Sequence, residues 1–199
     1  MAQKVDIVLF DLGKVVVDFD TSRIVTELAG RTKKSPEDIA RAISTEPLYH
    51  DFERGRITAA DFHRALQHTL GLVMSFNEFL PIWNNIFTQK PDMEQLVRET
   101  KRRFRIAALS NTNELHWNYL RQQFRIMHSF DDYFLSHTLH TRKPEEKIFN
   151  AVLAYYGLAP NRIAYFDDVP EYTAAARERG ILAHVFTTVE EARALINEL

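Results

Sequence analysis

Four short stretches of this chain place side chains that could do chemistry at the ends of apolar runs. The first is Asp11, which closes the run Ile7-Val8-Leu9-Phe10 and is followed by Leu12 and Gly13. An apolar run stopped by one acid reads as a buried strand. A carboxylate just past the C-terminal end of such a strand lies where open α/β sheets bind ligands, although an acidic helix cap has the same signature. The second is Ser110-Asn111-Thr112, after Arg105-Ile106-Ala107-Ala108-Leu109. A hydroxyl, an amide and exposed N–H groups at a strand end can cap the next helix or hold an anion. The third is Lys143-Pro144-Glu145-Glu146. Pro144 fits the first position of a helix and the glutamates fit its first turn, which puts Lys143 at the positive end of the helix dipole. A structural lysine belongs at the other end, so the placement favours anion binding. The fourth is Asp167-Asp168, after Arg162-Ile163-Ala164-Tyr165-Phe166. Adjacent carboxylates repel one another unless a cation or hydrogen bonds compensate, and a hard divalent cation is their natural partner.

The elements that must position these groups follow from the hydrophobic pattern. At 199 residues, 45% hydrophobic and 26% charged, the chain can hold one α/β domain with a smaller insert. A net charge of -2 provides no basic field for nucleic acid or an acidic membrane. The absence of cysteine excludes disulfides and cysteine nucleophiles. No apolar signal region or run of bilayer length is present, and a cytoplasmic location is the default expectation. Residues 21–89 read as several helices: 22–30, one opened by Ser35-Pro36-Glu37-Asp38, one opened by Thr58, and 75–87 with Phe79, Ile82, Trp83 and Ile86 on one face. Between them, Tyr49-His50-Asp51-Phe52-Glu53-Arg54-Gly55-Arg56-Ile57 has no period and reads as a solvated connection. Beyond Pro91, helices and strands alternate, with strands expected at 105–109, 133–136, 162–166 and 181–185. Such alternation implies a parallel sheet covered by helices on both faces.

In order and position, the four stretches resemble the haloacid dehalogenase-like hydrolase superfamily, and the likeness covers nearly the whole chain. It implies a Rossmann-like α/β core, residues 1–20 and 90–199, with a small inserted helical cap, residues 21–89. The first strand would lie between the Ser-Asn strand and the Asp-Asp strand, so that all four stretches meet at one sheet edge. The family is mostly phosphatases with an aspartate nucleophile. The resemblance therefore implies a magnesium-dependent phosphatase acting on a small-molecule phosphate ester, with Asp11 as nucleophile and Lys143 as charge partner. Ser110 and Asn111 would orient the phosphate. Magnesium would be held by Asp11, the Gly13 carbonyl and Asp168, with Asp167 behind them or bound through water. Glu53-Arg54-Gly55 matches a Glu-x-Gly pattern that dips toward the site in capped relatives, which makes Glu53 and Arg54 candidates for substrate selection.

Two positions depart from the family pattern. Most family phosphatases carry a second aspartate, a general acid and base, where this chain has Gly13. A subgroup of sugar-phosphate phosphatases resembling this chain also reads Asp-Leu-Gly, which points to a sugar 1-phosphate, whose leaving oxygen is comparatively acidic. Tyr172 stands where close relatives often have Asn, and Glu171 is the neighbour that could substitute. A metal-independent 2-haloacid dehalogenase and a non-catalytic binding protein are the alternative readings. The sequence leaves the oligomeric state open.

Overall fold

In the computed structural model, which describes residues 5–44 and 47–199, the chain opens with β1 (Ile7–Phe10), buried along its whole length, and β2 (Val17–Phe19). A helical stretch follows: α1 (Ser22–Ala29), α2 (Pro36–Ser44), α3 (Leu48–Glu53), α4 (Ala59–Leu70) and α5 (Phe76–Asn84). The chain then returns through β3 (Phe87–Gln89) to α6 (Pro91–Lys101), β4 (Arg105–Ser110), α7 (Glu114–Gln123), β5 (Asp132–Leu135) and the short α8 (Ser136–Leu139). It ends with α9 (Glu146–Tyr156), β6 (Ile163–Asp167), α10 (Pro170–Glu178), β7 (Leu182–Val185) and α11 (Val189–Glu198).

Among the described residues, five strands form a parallel sheet in the order β5-β4-β1-β6-β7. The expected central place of β1 between the Ser-Asn strand and the Asp-Asp strand is therefore present. The period of two along β1 divides its side chains between two cores. Val8 and Phe10 join Ile106, Ala108, Phe166, Met93 and Val97 on one face. Ile7 and Leu9 join Leu109, Tyr165, Ile148, Phe149 and Ala176 on the other. Burial on both faces is why this strand is apolar at every position and why its first polar residue, Asp11, marks its end.

The helical stretch buries a third core of its own, built on Ile24, Leu28, Phe62, Leu66, Phe79 and Trp83. Side-chain caps at Thr58 and Ser75 open α4 and α5, the second as a full capping box with Glu78. The antiparallel β2–β3 ribbon stands where the chain leaves for this stretch and where it re-enters.

Three local expectations differ from the structure. Residues 48–53 form α3 rather than a solvated connection, because Phe52 stacks on Phe62 at 4.4 Å between ring centroids. Six residues are too few for a helical period to be seen. The helix expected over 75–87 stops at Asn84, and Phe87 pairs with Phe19 across the ribbon, a contact remote in sequence. Helix α9 starts at Glu146, after a turn in which the Glu145 N–H donates to the Arg142 carbonyl, so Pro144 precedes the helix. In the turn after Asp11 the left-handed residue is Lys14, at φ 61°.

Glycine is demanded most strictly at Gly55. Its φ is 62°, and a Cβ there would lie 2.2 Å from the backbone oxygen of His137 in α8. Gly157 has the same φ, and a Cβ there would meet nothing within 4 Å. Gly157→Ala is expected to cost about 1 kcal/mol through φ alone. Gly55→Ala should cost clearly more in urea denaturation, because backbone on backbone cannot relax by rotating a side chain.

Candidate active site

Register builds the centre of the site. Phe10 pairs with Phe166, and the Asp11 N–H donates to the Phe166 carbonyl at 2.9 Å. Asp11 and Asp167 therefore emerge side by side at the C-terminal edge of the sheet. Between them lies Lys143, only 1% exposed. Its Nζ is 2.9 Å from Asp11 Oδ1, 2.5 Å from Asp167 Oδ2 and 3.1 Å from the Leu109 carbonyl. Asp167 is held on every side: Oδ2 also accepts from the Tyr165 hydroxyl, and Oδ1 accepts from the Val169 N–H at 2.9 Å. A buried ammonium costs several kcal/mol unless paired and hydrogen-bonded, and these contacts meet that demand.

The charges do not balance. Asp11, Asp167 and the half-buried Asp168 offer carboxylate oxygens within 4.8 Å of one another, against one buried lysine among the described residues. Burial pushes the Asp11 pKa up, Lys143 pulls it down and Asp167 pushes it up again, leaving it raised from 3.8 to about 7. Burial and then the neighbouring Asp167 raise Asp168 as well. Burial opposes the charge of Lys143, but Asp11 and Asp167 outweigh it and hold its pKa above the ordinary lysine value. The surplus negative charge and the all-oxygen donor set fit a hard divalent cation.

The other predicted residues divide. Ser110, Asn111, Gly13 and Glu53 line the same cavity of about 220 Å³ as Asp11, Lys143 and Asp168. The Asn111 side chain is already engaged: Oδ1 accepts from the Lys143 N–H at 2.8 Å, and Nδ2 donates to the Lys143 carbonyl at 3.0 Å. It thus fixes the backbone that carries the ammonium. Lys143 does not act through a helix N-terminus, since α9 begins three residues later and its amine turns inward. Glu53 is buried, not solvated, and burial raises its pKa although Arg142 lowers it. Arg54 is not among the cavity residues and pairs with Glu145 just before α9. Glu171 is exposed, whereas Tyr172 lines the cavity and places its ring 5.1 Å from the lysine amine.

Gly13 leaves room for Phe19. A Cβ on Gly13 would lie 2.8 Å from Phe19 Cε1, so the phenyl ring occupies the space of any side chain there. Sequence reasoning missed Phe19, Tyr165 and Arg142. Phe19 and Tyr165 look like ordinary strand residues, and Arg142 was overshadowed by its neighbour. His116 lines the cavity wall yet is tied into it. Its Nε2–H donates to the Trp83 carbonyl and its Nδ1 accepts from Asn113, each at 3.1 Å. Burial lowers its pKa to about 4, so it is neutral at physiological pH.

A family model described as haloacid dehalogenase-like hydrolase matches residues 5–180. A HAD family enzyme from Bacteroides thetaiotaomicron, crystallised with magnesium and inorganic phosphate, superposes with a TM-score of 0.82 at 24% identity, over 92% of this chain and 94% of that one. A predicted HAD-like family hydrolase from Porphyromonas gingivalis does so with a TM-score of 0.85 at 20% identity, over 98% and 99%. L-2-haloacid dehalogenase from Xanthobacter autotrophicus, with chloropropionic acid covalently bound, gives 0.65 at 19% identity, over 97% and 83%. At these identities the superpositions show a shared fold.

Two outcomes follow from the geometry. Between pH about 4 and about 7 the unfolded chain has released the Asp11 proton while the folded, metal-free chain keeps it, so this group's contribution to stability falls as pH rises. Magnesium bound by ionised carboxylates reverses that loss, and the rise in melting temperature it causes should be larger at pH 8 than at pH 6. Separately, Gly13→Asp should lower the melting temperature, and adding Phe19→Ala should recover part of that loss, a coupling read from the double-mutant cycle.

Proposed function

Because the chain belongs to the haloacid dehalogenase-like hydrolase family, we propose that it is a magnesium-dependent phosphatase that hydrolyses a small phosphate monoester through an aspartyl-phosphate on Asp11. One observation carries this reading: three carboxylates whose oxygens lie within 4.8 Å of one another face one buried lysine, which leaves negative charge in surplus. A displacement that needs no metal has no use for that surplus negative charge. The binding of magnesium and inorganic phosphate by the Bacteroides thetaiotaomicron enzyme is in keeping with it.

Asp11, Asp168 and the Gly13 carbonyl would hold the ion, with Asp167 behind them. Bound there, it supplies positive charge that offsets the repulsion between a phosphate dianion and an anionic nucleophile. Lys143 supplies the chain's own share, a buried ammonium beside the attacking oxygen that receives phosphate oxygens as they approach. Ser110, at the end of β4, adds a hydroxyl to the same cradle. An Asp11 oxygen bonds to phosphorus as the ester P–O bond breaks, and the leaving oxygen departs with the bonding pair as an alkoxide that takes a proton from solvent water. Water then attacks phosphorus as the P–O bond to Asp11 breaks, which gives inorganic phosphate, restores the carboxylate and returns one proton to solvent. Asp167 and Asn111 act through Lys143, one on its amine and one on its backbone.

The leaving alcohol receives no proton from position 13. Losing such help costs roughly 10²–10⁴-fold, least for alcohols that are themselves acidic. This, with the Asp-Leu-Gly resemblance, favours a sugar 1-phosphate. The same feature is the one observation that favours a dehalogenase, since halide leaves without a proton.

Phosphate release from a panel of small esters tests the assignment. Asp11→Asn should lower turnover by roughly 10³-fold or more. Removing magnesium with EDTA should abolish activity, and added magnesium should restore it. Halide release from 2-haloacids in EDTA, with no phosphate from any ester, would transfer the assignment to dehalogenase.

A further inference from the structure

The cavity has a second polar wall that the phosphate chemistry does not use. Arg142 Nη2 lies 3.1 Å from Glu53 Oε2, with the two side chains 16% and 6% exposed. Glu53 also takes a hydrogen bond from Tyr49, and Tyr172 completes this wall of the cavity. Neither charged partner is satisfied by the other. Arg142 Nε is buried without a hydrogen-bond partner, and Glu53 Oε2 meets the guanidinium off hydrogen-bond geometry. A buried guanidinium N–H left unpaired is costly, and both residues line the cavity, where a ligand hydroxyl can supply the missing partner.

The charge of this wall decides what the ligand is. Glu53 balances Arg142, and Asp11 and Asp167 more than balance Lys143, so no net positive charge remains for a second anionic group. What remains is an unfilled donor beside an unfilled acceptor. Hydroxyl groups, each donor and acceptor at once, fit that pair, whereas a carboxylate fits only half of it. Phe19, Phe87, Tyr49 and Tyr172 line the same cavity with aromatic surface suited to the apolar C–H faces of a ring. A cavity of about 220 Å³ has room for one small ring.

We propose that Arg142, partnered by Glu53, is a specificity-determining residue that binds hydroxyl groups of a neutral sugar or polyol esterified to the phosphate. This rests on the phosphatase reading and names the residue that selects within it. It assigns to Arg142, in the loop before α9, the contact that the neighbouring Arg54 does not make.

The test is equilibrium binding by calorimetry, in magnesium, on Asp11→Asn protein that does not turn substrate over. The probes are a panel of aldose and polyol phosphates, phosphoglycolate and inorganic phosphate. The expected result is that at least one polyol or sugar phosphate binds more tightly than inorganic phosphate. Adding Arg142→Gln should then weaken that ligand by about tenfold to a hundredfold. Inorganic phosphate should change by no more than about twofold. Should the lone Arg142→Gln change leave Glu53 buried without its partner and unfold the chain, Glu53→Gln/Arg142→Gln removes both charges together and is expected to give the same pattern. Equal losses for sugar phosphate and inorganic phosphate, no loss for either, a larger loss for phosphoglycolate, or no sugar or polyol phosphate outbinding inorganic phosphate would each overturn the proposal. Phosphate release by the wild-type chain from p-nitrophenyl phosphate is measured beside it. Failure there removes the phosphatase reading itself, whereas release with an unchanged ligand ranking removes only the role of Arg142.

Discussion

Everything at the top of the sheet depends on one buried ammonium held between two carboxylates. Lys143 comes from a loop, and nothing in its own segment would keep an amine dry. It is kept there because β1 and β6 are neighbours in register, which sets Asp11 and Asp167 side by side. Asn111 at the end of β4 closes the arrangement by gripping both the N–H and the carbonyl of Lys143. Three adjacent strands thus all constrain a single residue. Removing one partner of such a buried set is strongly destabilising, typically by about 3–5 kcal/mol, because a charge is left unpaired. A stability loss on altering Lys143 or Asp167 is therefore expected alongside any catalytic one.

The same logic links the helical stretch to the sheet. The end of α3 is moored to the core at successive residues. The Glu53 carbonyl accepts from Ser136 Oγ at 2.7 Å and its carboxylate meets Arg142; Arg54 pairs with Glu145; Gly55 lies directly against the His137 backbone. These contacts make α3 part of the cavity wall. Closure of such a wall over a site excludes water and completes the binding surface. The mooring is polar and depends on Gly55, while the five helices bury their apolar faces mainly in a core of their own.

Much of this was legible in the sequence, for identifiable reasons. Strands buried on both faces produce unbroken apolar runs, so Ile7–Phe10 and the acid that ends it stand out, and helix caps at Thr58 and Ser75 follow local rules. Geometry remote in sequence was not legible. Nothing in Phe19 says that its ring fills the space beside Gly13, and nothing in residues 49–53 reveals a short helix held by the stacking of Phe52 on Phe62. Glu53 looked solvated because its neighbours are charged, and only the fold shows that Arg142 meets it. Arg54, adjacent and of the right type, points to Glu145 instead. Residue type and order located the chemistry at the sheet edge, while the side chains that shape the rest of the cavity were decided by tertiary packing.

The central claim is that Asp11 carries the phosphoryl group between substrate and water. The stereochemistry at phosphorus tests it most directly, using a chiral, isotopically labelled thiophosphate ester hydrolysed in labelled water. Each in-line displacement inverts the configuration, so transfer to Asp11 and then to water predicts net retention. Net inversion would mean a single attack by water, leaving Asp11 as a base or a metal ligand, and would contradict the account.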